Sequence, residues 1–140
     1  MRVVLDTSVV ASAFRSRHGA SNALLRAAVA QRLEVLVTTS LFLEYEAILK
    51  RPEQRLASGL TMERIDHVLA GLAALCKPVE IHFRWRPQLA DAADEMVLEA
   101  AVNGRADALA TFNLRDFAGA AERFGLVVAR PVAILRMLRS

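Results

Sequence analysis

At 140 residues, 54% of them hydrophobic, the chain suits one compact domain spanning 1–140, with a substantial core and little room for a second domain. It contains no run of about 18 or more uncharged apolar residues, and MRVVLD opens directly as a strand without a basic, then apolar, leader, so a membrane-bound or exported protein is not expected. The net charge is +3, and sixteen of the eighteen basic residues are arginine, a side chain whose planar fork suits phosphate; this permits a nucleic-acid partner without requiring one.

The single cysteine, Cys76, cannot form an internal disulfide, which fits a reducing, cytoplasmic setting. Arg2 to Leu5 reads as a buried strand that delivers Asp6 to a strand–helix junction, with Thr7 placed to cap the helix that follows. Ligands of open α/β sheets bind outside the carboxyl ends of strands, so Asp6 stands where chemistry is usually placed. The plainer reading is a helix cap, a task that the neighbouring Thr7 and Ser8 could do without a charge. RSRHGAS, residues 15–21, is a polar loop with two arginines and His18, and a helix runs from it to about Arg32. Glu34 to Thr38 is a second strand, after which Thr39 and Ser40 can cap a helix through Lys50 that stops at Pro52.

That helix carries Glu44 and Glu46 on opposite borders of its apolar stripe, and helical geometry does not choose between them. Residues 53–60 read as a polar connection broken at Gly59. Thr61 opens a helix to about Cys76, with Ile65, Val68, Leu69, Leu72 and Leu75 on one stripe and His67 beside it as a surface histidine. Pro78 to Phe83 alternates like a half-buried strand, and RWRP follows as a loop in which Trp85 either stacks on a base or covers the edge of the core.

The stretch from Asp91 to Phe117 is the most informative. It reads as an acid-led helix, the short strand DALAT and a polar turn. Asp94 shares a helical face with Val97, Leu98 and Ala101, and a carboxylate turned towards a core is costly unless a cation or several hydrogen bonds compensate it. A metal ion is one compensator; a capping role near Asp91 at the helix start is the other. A short helix over 118–125, the strand LVVA and a terminal helix over 131–138 with Pro131 at its first position complete an α/β pattern.

Three acids therefore arrive at element ends: Asp6, Glu44 or Glu46, and Asp94. Thr111, Asn113 and Asp116 form a polar cluster after DALAT. Hard divalent cations that handle phosphates take oxygen ligands and need only a few carboxylates. HExxH, paired cysteines, a Walker A loop and GxSxG are all absent, and the three histidines stand in unrelated contexts, so zinc is not indicated.

In its order of motifs, VVLDTSV, then SLFLEYEAILKRP, then DEMVLEAAVNGRADALATFNLRDF, the chain resembles the PIN-domain family over nearly its whole length, and most closely the branch of VapC-like ribonuclease toxins of toxin–antitoxin systems. The resemblance implies a three-layer α/β/α sandwich with a central, mainly parallel sheet. It also implies a Mg²⁺- or Mn²⁺-dependent ribonuclease that hydrolyses RNA phosphodiesters and leaves a 5′ phosphate. Asp6 and Asp94 then match the direct metal ligands and Glu44 the glutamate of the family's middle motif; Thr7, Ser8 and Thr111 match small hydroxyl positions around them. Many relatives have Asp where this chain has Asn113, so either Asn113 gives a neutral oxygen or Asp116 takes over as the fourth acid. Ala92 and Ala93 also replace a proline-containing approach to the helix acid. A small antitoxin protein, a homodimer built through the helices after residue 39, and RNA backbone contacts from Arg15, Arg17, Arg51 and Arg115 are further implications. Two rivals remain: a haloacid-dehalogenase-like phosphatase, which wants a second Asp where Ser8 stands, and a non-catalytic PIN-like binding module, for which Asn113 is the hint.

Overall fold

A computed structural model describes residues 1–83 and 87–139. Five short strands, β1 (Arg2–Leu5), β2 (Glu34–Val37), β3 (Lys77–Pro78), β4 (Ala108–Ala110) and β5 (Val127–Ala129), form one all-parallel sheet in the order β3-β2-β1-β4-β5. Parallel sheets need crossover connections and are covered on both faces, so their inner strands should be continuously apolar. They are: Val3, Val4 and Leu5 of β1, Val35, Leu36 and Val37 of β2, and all of β4 are buried.

Eight helices among the described residues supply the crossovers and make the molecule an α/β/α sandwich. They are α1 (Thr7–Arg15), α2 (Ala20–Val29), α3 (Thr39–Leu49), α4 (Pro52–Ser58), α5 (Met62–Leu75), α6 (Ala92–Asn103), α7 (Leu114–Phe124) and α8 (Pro131–Leu138). α1 packs on α2, and α2 on α8; α6 packs on α7 and against β1, β2 and β4. α3 touches both α1 and α6 and leans on the carboxyl end of β1, where the buried Tyr45 hydroxyl donates to the Leu5 carbonyl oxygen.

The chain leaves β1 towards β2 on one side, and later returns through α6 to enter β4 on the other. The order reverses between β1 and β4, and at such a switch point the connections diverge and open a crevice at the carboxyl ends. Asp6 and Thr111 are the residues that follow these two strands.

Several expected boundaries shift. Thr38, not Thr39 or Ser40, caps α3, its hydroxyl accepting from Leu41 N at 3.2 Å. α2 ends at Val29 rather than near Arg32, because Gln31 takes a left-handed conformation (φ 60°) and turns the chain. Most of residues 53–60, read as a polar connection broken at Gly59, belong to helix α4: Pro52 starts it and Gly59, at φ 74°, ends it in the left-handed conformation open to glycine. The buried Gln54 ties this turn to the core by donating to Ala11 O at 2.9 Å.

The strand expected over 78–83 shrinks to Lys77–Pro78. Beyond Val79, whose N–H still reaches Val37 O at 2.8 Å, a side chain replaces the ladder: Asn103 of α6 accepts from the N–H of His82 and Phe83 at 2.8 and 2.7 Å and donates to Phe83 O. Gly104 lets Val79 lie this close to α6, since a Cβ there would stand 2.9 Å from both Val79 Cγ2 and Ala100 O. Finally, α7 begins at Leu114 instead of 118, so Asp116 sits in a first helical turn and not in a loop.

Candidate active site

Asp6 is the N-cap of α1 by position, yet its carboxylate makes no capping hydrogen bond. Thr7, expected to cap, is already inside the helix. The Asp6 carboxylate, 2% exposed, is held instead by hydroxyls: Thr111 Oγ1 donates to Oδ2 at 2.7 Å, Ser8 Oγ to Oδ2 at 2.9 Å, and Thr7 Oγ1 to Oδ1 at 3.4 Å. Its backbone N–H extends the β1–β4 ladder to Ala110 O at 2.9 Å. A buried carboxylate needs its charge met. Three neutral donors orient it, but no cationic side chain pairs with it among the described residues.

Asp91 caps α6, accepting from Ala93 N at 2.7 Å and Asp94 N at 3.3 Å, which leaves Asp94 free of that duty. Asp94 is half-buried on the face that Val97, Leu98 and Ala101 carry into the core, as its spacing implies. Burial first, and then the negative charges of Asp6, Asp91 and Asp116, push its carboxyl up to about 6. The adjacent Glu95 is committed elsewhere, accepting from the N–H of Gln88 and Leu89 at 3.1 and 2.9 Å.

The other predicted residues separate into those drawn towards this pair and those that are not. Asp116 is exposed at the start of α7 and its charge acts on Asp94. Asn113 is exposed, gives no side-chain cap, and touches the cluster through its backbone N–H, which donates to Thr111 Oγ1 at 2.9 Å. Glu44 is half-buried on α3 but is not among the charges that act on Asp94, and no hydrogen bond ties it to either strand end. Glu46 is engaged by Lys50 at 3.0 Å, and Lys50 also reaches Asp66 at 3.1 Å. Arg15, Arg17, Arg51 and Arg115 are exposed. Trp85, with Arg84 and Arg86, lies outside the described residues.

No three His, Cys, Asp or Glu side chains among the described residues converge closely enough, as they stand, to hold a metal ion. The donor chemistry nevertheless suits a hard divalent cation. Such an ion keeps several waters and takes one or two carboxylates from a protein, and Asp6 with Asp94 offers two that repel each other and pair with no cation among the described residues. A cavity of about 500 Å³ between α2 and α5 is lined by Phe14, Leu25, Val29 and Leu72 and by none of these acids.

Tyr45, which helical spacing puts in the apolar stripe of α3, does more than fill the core. Its hydroxyl fixes the carbonyl of Leu5, one residue before Asp6, and a polar-tipped aromatic within an apolar stripe was the available signal. The role of Asn103 had no signal, because it depends on a loop contact across about twenty residues of chain.

Residues 2–115 match the sequence pattern of the PIN domain. The chain belongs to the PIN-domain family. PIN domains are in general nucleases that typically use divalent metal ions, and the all-parallel sheet with helices on both faces agrees with a PIN-like sandwich. No curated protein and no solved structure matches the chain. No helix among the described residues of this PIN-domain protein is long and apolar enough to cross a membrane.

The raised Asp94 value has a consequence for stability. Because it lies above the usual 3.8, ionising Asp94 costs the folded state more than the unfolded one. Its contribution is complete below pH 3.8 and is lost as pH rises through about 6. In EDTA, Asp94→Asn should therefore melt at a higher temperature than wild type above pH about 6, and the advantage should vanish below pH 3.8. Scanning calorimetry across this range checks it; a variant no more stable than wild type at neutral pH contradicts it.

Proposed function

We propose that this PIN-domain protein is a metal-dependent endoribonuclease and the toxin of a type II toxin–antitoxin pair. The observation that carries the nuclease reading is the Asp6 carboxylate, buried at the switch point and oriented by Ser8 and Thr111 instead of capping its helix, beside an Asp94 whose proton affinity is raised. Asp6 and Asp94 would hold Mg²⁺ or Mn²⁺, with Glu44 at the border of α3 and Asp116 at the start of α7 completing the acidic set. When bound, the ion supplies Lewis-acid polarisation of a phosphodiester.

The remaining roles belong to the chain. Ser8 and Thr111 hold Asp6 in one orientation, the help that a ligating carboxylate needs from its neighbours. Thr7 gives a weaker third contact, and Asn113 secures the Thr111 hydroxyl through its backbone N–H. The exposed arginines would hold the RNA backbone while the acids act on the scissile group. Ser8, where a haloacid-dehalogenase-like phosphatase wants a second Asp, is occupied in donating to Asp6, which weighs against that alternative.

Single-stranded RNA incubated with Mg²⁺ or Mn²⁺ should be cleaved by wild type, leaving 5′ phosphates, and cleavage should fall to background in Asp6→Asn, in Asp94→Asn and in excess EDTA. Full activity in either variant rules out this site. Binding of metal and RNA without any cleavage favours the non-catalytic binding module.

The toxin reading rests on the family resemblance: an antitoxin would silence the enzyme by placing a helix or a basic side chain over the acidic crevice. The homodimer reading likewise rests on the family resemblance; Leu43 on α3 and Leu56 on α4, 56% and 87% exposed, are apolar side chains that such an interface could cover. Light scattering at micromolar concentration should give the mass of a dimer. A monomer mass removes that part of the proposal, and the absence of an antitoxin-sized reading frame beside the gene would count against the toxin role.

A further inference from the structure

A second concavity lies against the acidic site. It has a volume of about 430 Å³, within the range of roughly 300–1,000 Å³ typical of small-ligand sites, and it runs along α7 from Asp116 to Arg123. These two residues stand two turns apart, about 10 Å at the rise of an α-helix. Gly119 and Ala120 make the floor and residues 88–90 the facing wall.

That wall is held from both sides. Arg123 donates through Nη1 to the side-chain oxygen of Gln88, and Glu95 of α6 accepts from the backbone N–H groups of Gln88 and Leu89. The cavity is therefore preformed and does not need a ligand to create it. Its two ends differ in charge. Asp116 at one end acts electrostatically on Asp94, so that end borders the acidic centre; Arg123 at the other carries a guanidinium that forms no ion pair among the described residues.

Gly119 adds an independent observation. It lies inside α7 with no left-handed backbone to explain it, and a Cβ built there meets no atom within 4 Å. Alanine would fit and would favour the helix by about 1 kcal/mol. Gly119 is exposed, and among the described residues no atom fills the space that the missing side chain leaves, so the floor of the cavity stays open to whatever enters it.

Resting on the nuclease reading, we propose that this cavity is a nucleotide subsite for unpaired RNA next to the scissile bond. Arg123 takes the phosphate of the neighbouring nucleotide through its planar fork, and the sugar or base lies over Gly119 and Ala120. A concave pocket of this size admits a splayed nucleotide and not a stacked duplex, so the enzyme should act on loops and single strands and show a preference at one position flanking the cut.

Two substitutions test it: Gly119→Leu, which fills the cavity from a position with open space around its Cβ, and Arg123→Ala, which removes the cation. On single-stranded oligoribonucleotides that vary at each position beside the cut, both should lower kcat/KM by about tenfold or more, mainly through KM, and should flatten the preference at one flanking position. Thermal unfolding of Gly119→Leu should show no loss of stability. Unchanged kcat/KM and preference in both variants overturn the subsite, as does a loss confined to kcat. If wild type itself fails to cleave RNA with Mg²⁺ or Mn²⁺, the nuclease reading falls separately. Fluorescence anisotropy of a labelled single-stranded RNA with Ca²⁺ then decides the subsite by itself: weaker binding by the two variants supports it, and affinity equal to wild type ends it.

Discussion

A carboxylate buried at the end of the central strand is the constraint around which the molecule is arranged. Asp6 follows β1, the middle strand of five, and is almost inaccessible. Desolvating an ionised carboxyl is expensive, and the surrounding elements each contribute something to hold it. β4 presents the Thr111 hydroxyl, the first turn of α1 that of Ser8, and α3 fixes the preceding carbonyl through Tyr45. None of these contributions brings a positive charge. The polar groups orient the acid without neutralising it, an arrangement suited to a centre that receives a cation from outside.

α6 makes the same point from the other layer. It brings Asp94 to the acidic cluster while Asp91 caps the helix and Glu95 fastens the loop before it, so three acids within five residues have three different tasks. Local repulsion is the cost of this design. A protein with a net charge of +3 gathers negative charge at one strand end, with Arg115 directly before Asp116 at its border.

Much of this was legible in the chain. The alternation of strands and helices announced an α/β domain and the family resemblance its mainly parallel sheet, Pro131 marked the start of α8, and the spacing of Asp94 with Val97, Leu98 and Ala101 gave the face that α6 buries. What was not legible depended on contacts distant in sequence. Residues 78–83 have the alternation of a strand, but Asn103 captures their N–H groups, and no local pattern reports that. α4 was hidden by its polar composition even though Pro52 and Gly59 delimit it, because its one buried anchor is a glutamine. At the site, chain order brought forward Asp6, Asp94 and Thr111. It left Asn113 and Asp116 as alternatives, and it did not show that α7 starts at Leu114 and takes Asp116 into its first turn.

A calorimetric titration of Mn²⁺ into the wild-type protein and Asp94→Asn, in buffers of different ionisation enthalpy, decides whether the two acids form one metal centre. If Asp6 and Asp94 bind the ion together, the wild type should release protons on binding near pH 6, where Asp94 is partly protonated, and the release should fade as pH rises well above that value. The variant should bind more weakly, with no such release. Mn²⁺ binding that liberates no protons and is indifferent to Asp94→Asn, or no binding at all, would rule out a shared metal centre at Asp6 and Asp94.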